Sequence, residues 1–372
     1  MPEFLDDPAT RPQMHHPGRA GQDHGARPAH PHPPGARRRP RGGAHGMAQR
    51  RHSPRASMTG EGLTTGGRRA LLGALAAAPL LRPAPGEAAP PSPAESEAHW
   101  RDPARDREIP VLLRIPAGRG PFPTVLLSHG LGGSRHGLAY LGGALARAGF
   151  LAIHLQHPGS DDSLWRHGGD RMALAAAAFD VNVALDRLYD VRFALDNLPP
   201  QADPGRLAIT GHSFGAWTVQ AMLGQRLPGG DRGLNLPDPR LKAGIALSPI
   251  PAQGLPPRLA YAGFVAPMLH VTGSNDDGWI EGVRAAQRRE PFEAARNPGA
   301  LAVLNAAVHA SFADEPGAGA RWSDPTYHGR TAGLATAFLR ATLLGDAAAA
   351  RFLREGAPDL LHPHDVWETR SF

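Results

Sequence analysis

The sequence predicts an α/β fold, a mostly parallel sheet with helices on both faces. Three observations predict it. Apolar runs of strand length alternate with helix-compatible segments from Ile109 to Leu344, without an internal repeat. Several runs end in polar or glycine-rich loops, which places chemistry-bearing residues at strand ends. The pentapeptide Gly211-His212-Ser213-Phe214-Gly215 joins an apolar run, 207–210, to a helix-compatible segment, 216–226.

Composition and the N-terminal stretch come first. The 372-residue chain carries a formal charge of +6, but the excess is local. Residues 1–57 hold ten arginines against Glu3, Asp6, Asp7 and Asp23, and the remainder has 30 basic and 30 acidic side chains. The body of the chain therefore gives no support to nucleic-acid binding. Cysteine is absent, which excludes a disulfide framework, a thiol nucleophile and a thiolate metal site. Residues 1–57 are rich in Pro, Gly, Arg and His and lack apolar periodicity, so they are expected to be disordered. Their histidines belong to this biased tract, and no metal site is expected. Residues 58–88 read as an export signal. Arg68 and Arg69 precede an apolar segment, 70–81, too short to span a bilayer. The paired arginines point to the twin-arginine machinery, and Gly86-Glu87-Ala88 is a small-x-small cleavage site. Export to the periplasm or the exterior is expected, with translation starting at Met58 or Met47. Residues 89–372 then form the α/β domain.

Within that domain, 109–116 and 124–128 read as strands, the second continuous enough to be buried on both faces. The second runs into His129-Gly130-Leu131-Gly132-Gly133-Ser134. A glycine-rich loop at that point lets backbone N–H groups face an open space. The loop lacks both phosphate-binding glycine patterns, so nucleotide readings are poor. A helix over 138–147 and a strand over 150–155 lead to the polar loop 156–162. There His157 and Asp161 read as residues that fix the loop, or that line a site. Residues 171–198 read as one long helix, with Asp186, Arg187, Asp190, Arg192 and Asp196 on a solvated face. Strands over 241–247, 267–272 and 301–304 and a closing helix over 331–344 complete the pattern.

A serine hydroxyl is a poor nucleophile until a base takes its proton, and that base is usually a histidine oriented by a carboxylate. Glycines flanking Ser213 at a strand-to-helix turn permit the strained backbone that exposes such a serine. In this arrangement the acid and then the histidine follow in later strand-end loops. Asp276 and Asp277 stand past one strand, and His309 stands past the next. His270 lies within a strand and reads as core; His328, His362 and His364 have no strand at the right distance before them. Leu131, Phe214, Trp165 and Trp279 stand in or near the loops expected to face the site. Their bulk implies an apolar pocket, with loop packing the alternative for the two tryptophans.

From Trp100 to about Phe352 the chain resembles the α/β-hydrolases, in particular the predicted dienelactone hydrolases and the platelet-activating-factor acetylhydrolases near them. The matching pieces are 128–134, 156–161, 211–215, Thr272-Gly273-Ser274-Asn275-Asp276 and 309–314. The resemblance implies an α/β-hydrolase fold, ester hydrolysis through an acyl-enzyme, and no cofactor. It implies Ser213 as nucleophile, Asp276 as acid, His309 as base, and the N–H groups of Leu131 and Phe214 as the oxyanion hole. True dienelactone hydrolases use a cysteine nucleophile, which this chain lacks. The implied substrate is a small-molecule or lipid-like ester. Acyl transfer to an alcohol and a non-catalytic binding protein on the same fold are the alternatives.

Replacing both Arg68 and Arg69 by Lys is expected to retain the protein in the cytoplasm. Cell fractionation checks this. Recovery of exported protein that still carries residues 1–57 would overturn both the signal and the start-site readings.

Overall fold

The computed structural model describes residues 92–166, 171–229, 233–314, 324–357 and 359–371. The readings of 1–57 and of the signal segment 58–88 lie outside the described residues. Nine strands form the main sheet: β1 (Ala94–Asp102), β2 (Arg107–Ile115), β3 (Phe122–Ser128), β4 (Leu151–Leu155), β5 (Ala202–His212), β6 (Leu241–Leu247), β7 (Met268–Asn275), β8 (Gly299–Val308) and β9 (Val366–Arg370). Their order is β1-β2-β4-β3-β5-β6-β7-β8-β9. Pairing is parallel from β4 to β8 and antiparallel at both margins. The longer helices are α1 (Ala139–Arg147), α2 (Arg171–Phe179), α3 (Val181–Asp196), α4 (Phe214–Met222), α5 (Pro325–Leu343) and α6 (Ala347–Arg354). None of the described helices is long and apolar enough to cross a membrane.

The alternation of side chains along a strand explains the two layers. Val125 and Leu127 of β3 pack with Leu141 and Leu145 of α1 and with Leu334 and Phe338 of α5. Leu126, between them, joins the opposite cluster, with Leu188, Val191 and Leu195 of α3 and Val219 of α4. Strands covered on both faces read as unbroken apolar runs, which is why the central strands are legible in the sequence.

The register aligns the strand ends. Ser128 lies opposite Gly211, His212 opposite Leu247, Leu247 opposite Val271, and Asn275 opposite Val308. The loops that follow five adjacent strands therefore emerge along one edge of the sheet, the usual place for a site in parallel sheets.

Three sequence readings need correction. The stretch 171–198 forms two helices. Asp180 interrupts it with an extended backbone, and its side chain accepts the Asn182 N–H at 2.8 Å as the N-cap of α3. Arg187 and Asp190 are not on a solvated face: both are fully buried. Finally, β1, β9 and α6 had no counterpart in the sequence reading. β1 is an edge strand exposed along most of its length, so it lacks the apolar run that marks the interior strands.

Candidate active site

At the end of β5 the chain turns sharply at Ser213 into α4. Ser213 has φ 55° and ψ −115°, a conformation held only by its surroundings. The flanking glycines allow the backbones to touch. A Cβ on Gly215 would stand 1.9 Å from the Ser128 carbonyl oxygen, and one on Gly211 would stand 2.5 Å from the Gly215 carbonyl. The Ser213 N–H donates to Leu247 O at 2.9 Å, which ties the turn to β6.

His309 opens a 3-10 turn directly after β8. Its Nε2 lies 2.9 Å from Ser213 Oγ and its Nδ1 lies 2.7 Å from Asp276 Oδ1. With Nδ1–H donating to the carboxylate, Nε2 is left as the acceptor for the serine hydroxyl. His212 donates Nε2–H to the His309 carbonyl at 3.0 Å and so anchors the backbone of that turn. Burial lowers His212 to about 3, which keeps it a neutral donor.

Asp276 is fully buried. Its Oδ2 accepts from Thr272 Oγ1 at 2.7 Å, and Arg288 Nε lies 2.9 Å from Oδ1. Burial alone raises this carboxyl. The hydrogen bond from His309, with the charge of Arg288, outweighs burial and holds it below the usual carboxylate range. Arg288, itself fully buried, also donates to the carbonyls of Asp276, Ser248 and Pro249 and to Glu281, at 2.7 to 3.2 Å. It fastens the loops after β6 and β7 around Asp276. Asp277 is engaged elsewhere: its carboxylate accepts from Ala285 N–H and Arg284, each at 2.9 Å, and is half exposed.

Ser213 and His309 open into a cavity of about 720 Å³. Leu131, Leu174, Phe214, Ile250, Trp279 and Ile280 are among the apolar residues of its wall. Of the residues expected there, Leu131, Phe214 and Trp279 line it. Trp165 is not part of the wall. It packs on the glycine loop, donating Nε1–H to Gly132 O at 2.7 Å, the loop-packing alternative. Another cavity, about 790 Å³, is lined by Tyr261, Glu290 and Arg296 among others and holds no serine or histidine. Among the described residues no group of three His, Asp or Glu is gathered to hold a metal ion.

The glycine loop rests on buried polar groups that the sequence did not reveal. Arg187, on α3, donates to Thr218 Oγ1 at 3.0 Å, Ser160 Oγ at 2.8 Å, Ser128 Oγ at 2.9 Å and the His129 carbonyl. Burial lowers its guanidinium to about 9, which leaves it charged at neutral pH. His157 donates Nδ1–H to Asp190 at 3.0 Å and accepts at Nε2 from Ser128 Oγ at 3.0 Å. This second serine–histidine–aspartate series is buried throughout and cannot meet a substrate. Burial, then the charge of Arg187, lowers His157 to about 4. Asp161 accepts from Gln156 Nε2 at 2.7 Å and from Ser163 Oγ at 2.5 Å. His157 and Asp161 thus fix the loop and do not line the cavity. His270 is core, edge-on to Phe292, and His328 stacks on Tyr140.

The strand order, the helices on both faces and the serine turn after β5 define an α/β-hydrolase fold. Among solved structures the chain is similar to a ferulic acid esterase from Streptomyces cinnamoneus. The TM-score is 0.51 at 21% identity, covering 70% of this chain and 92% of that one. At this identity the likeness speaks for the fold. No family model and no curated protein matches the sequence.

Asp276→Asn is expected to lower kcat by about 10⁴ on whatever substrate the site turns over, because an amide cannot hold the imidazole tautomer or stabilise an imidazolium. Asp277→Asn is expected to leave kcat nearly unchanged, since its charge is largely screened by solvent. Steady-state kinetics of both variants check this, and the reverse pattern would move the acid to Asp277.

Proposed function

We propose that this chain is a serine esterase that cleaves carboxylic esters through an acyl-enzyme. One observation carries the reading: Ser213 Oγ, His309 and buried Asp276 form a hydrogen-bonded series, with spacings of 2.9 and 2.7 Å, at the floor of an apolar cavity. Ser213 Oγ attacks the ester carbonyl carbon as His309 Nε2 takes its proton. Asp276 stabilises the imidazolium that forms. The backbone N–H groups of Leu131 and Phe214 hold the tetrahedral oxyanion. Phe214 is the first residue of α4, so its N–H has no intrahelical acceptor. The imidazolium then protonates the leaving alcohol oxygen. A water that gives its proton to His309 attacks the acyl-enzyme, releases the carboxylic acid and restores Ser213.

The apolar wall favours esters with short to medium apolar acyl groups, and Trp279, 65% exposed at the rim, offers a flat face for an acyl group that extends outward. The matching motifs support a place near the predicted dienelactone hydrolases and platelet-activating-factor acetylhydrolases. Export through residues 58–88 belongs to the same reading on sequence alone.

Ser213→Ala is expected to fold normally and to lose about 10⁴–10⁶ in kcat, the scale of removing such a nucleophile. A p-nitrophenyl ester series of rising chain length, with a feruloyl ester added because the structural neighbour is a ferulic acid esterase, gives the rates. Fluorophosphonate labelling is expected to vanish in the same variant. Wild-type esterase activity in Ser213→Ala would overturn the reading.

A further inference from the structure

We propose, on the esterase reading above, that Arg187 is a positioning residue for the oxyanion hole. Its guanidinium holds in register the two backbone segments that carry the Leu131 and Phe214 N–H groups. These segments come from different parts of the chain. Leu131 belongs to the loop after β3, and Phe214 begins the helix after β5. An oxyanion hole works only when both donors are fixed in advance about the same point. The described pairing of β3 with β5 ends at Ser128 opposite Gly211, short of both donors.

Arg187 touches both sides. Toward the loop, it donates to Ser128 Oγ at 2.9 Å and to the His129 carbonyl, three and two residues before Leu131. It also donates to Ser160 Oγ at 2.8 Å, and Ser160 O accepts the Gly132 N–H at 2.8 Å, immediately after Leu131. The loop is thereby gripped before and behind Leu131. Toward the helix, Arg187 Nε donates to Thr218 Oγ1 at 3.0 Å, and Thr218 Oγ1 donates to the Phe214 carbonyl at 3.0 Å. The guanidinium also lies over the Phe214 ring, 4.5 Å from its centre.

The geometry suits arginine and not lysine. A planar fork directs several donors to fixed points at once, whereas an ammonium is a compact centre on a flexible stem. Arg187 is fully buried and does not line the cavity, so it acts through the two segments and does not meet the substrate. His157 and Asp190 extend the support from behind, since His157 Nε2 accepts from the same Ser128 hydroxyl.

The test uses Arg187→Met and Arg187→Lys in the full chain. Two quantities are measured: kcat per active site, counted by exhaustive fluorophosphonate titration, and the affinity of an aryl trifluoromethyl ketone. Ser213 Oγ adds to that ketone carbonyl, His309 receives the proton, and the resulting oxyanion occupies the hole. Arg187→Met is expected to lower kcat about 10²–10³-fold, the scale of losing one oxyanion donor, and to weaken the ketone by the same factor. KM is expected to change by less than about threefold, because the interaction serves the transition state. Arg187→Lys is expected to recover part of both losses. A merely structural role would lower the melting temperature and the titrated fraction while leaving kcat per site and ketone affinity in place.

Should Arg187→Met fail to fold, Ser160→Ala and Thr218→Val each remove one partner of Arg187. Each is then expected to lower kcat and ketone affinity together by about fivefold, the worth of one ordinary hydrogen bond. Unchanged kcat per site and ketone affinity in Arg187→Met, or in both single-partner variants, would overturn the proposal. A wild-type protein that turns over no ester would instead overturn the esterase reading.

Discussion

The close approach of α4 to the end of β3 is the contact on which the site depends. Gly215 sits so near the Ser128 carbonyl that any side chain would collide with it. Because the helix can press this close, β5 turns into it within one residue, and Ser213 is left at the tip with a positive φ. The same contact brings the loop after β3 alongside the serine. Ser213 and the glycine loop are thus positioned by a single backbone-to-backbone packing, and side chains later in the chain complete what it begins.

Two buried guanidiniums complete it from opposite sides. Arg288 binds the loops after β6 and β7 and stands against the carboxylate of Asp276. Arg187 binds the loop after β3 and, through Thr218 and the Phe214 ring, the start of α4. A buried charge is costly unless its donors are met. Each arginine meets that condition with carbonyls, hydroxyls or carboxylates from several segments, so the energetic requirement and the geometric effect are one. Loops that would otherwise be free to shift are held by cations that have nowhere else to satisfy their hydrogen bonds. Arg288 and His309 also share Asp276, which keeps the carboxylate ionised despite complete burial.

The central strands and the serine turn were legible in the sequence because each rests on a local rule. Parallel strands covered on both faces leave unbroken apolar runs, and the elbow leaves two glycines around a serine. The order of Ser213, the Asp276–Asp277 pair and His309 was legible too, because parallel strands send their loops to one edge. The edge strands, the break at Asp180 and the last helix were not. β1 is charged and exposed, and Asp180 marks its break only through a cap that an alanine-rich periodicity conceals. Trp165 stands near the cavity but packs on Gly132 and does not line the wall, since position in the chain does not tell which way a ring turns.

By itself the sequence determined a parallel α/β sheet and the residue types available at its loop edge, because burial pattern and turn chemistry are written locally. Only the tertiary structure decided which aspartate meets His309. Asp276 turns inward to Thr272 and Arg288, and Asp277 turns outward to Arg284. Adjacent residues differ in direction by backbone geometry that no spacing records. Only the tertiary structure, likewise, turned Arg187 and Asp190 from an expected solvated face into the buried support of the glycine loop. Their partners lie on β2, on the loops after β3 and β4, and on α4. A charged residue reads as exposed until the fold brings such distant partners to it, and that assembly is a property of the packed chain alone.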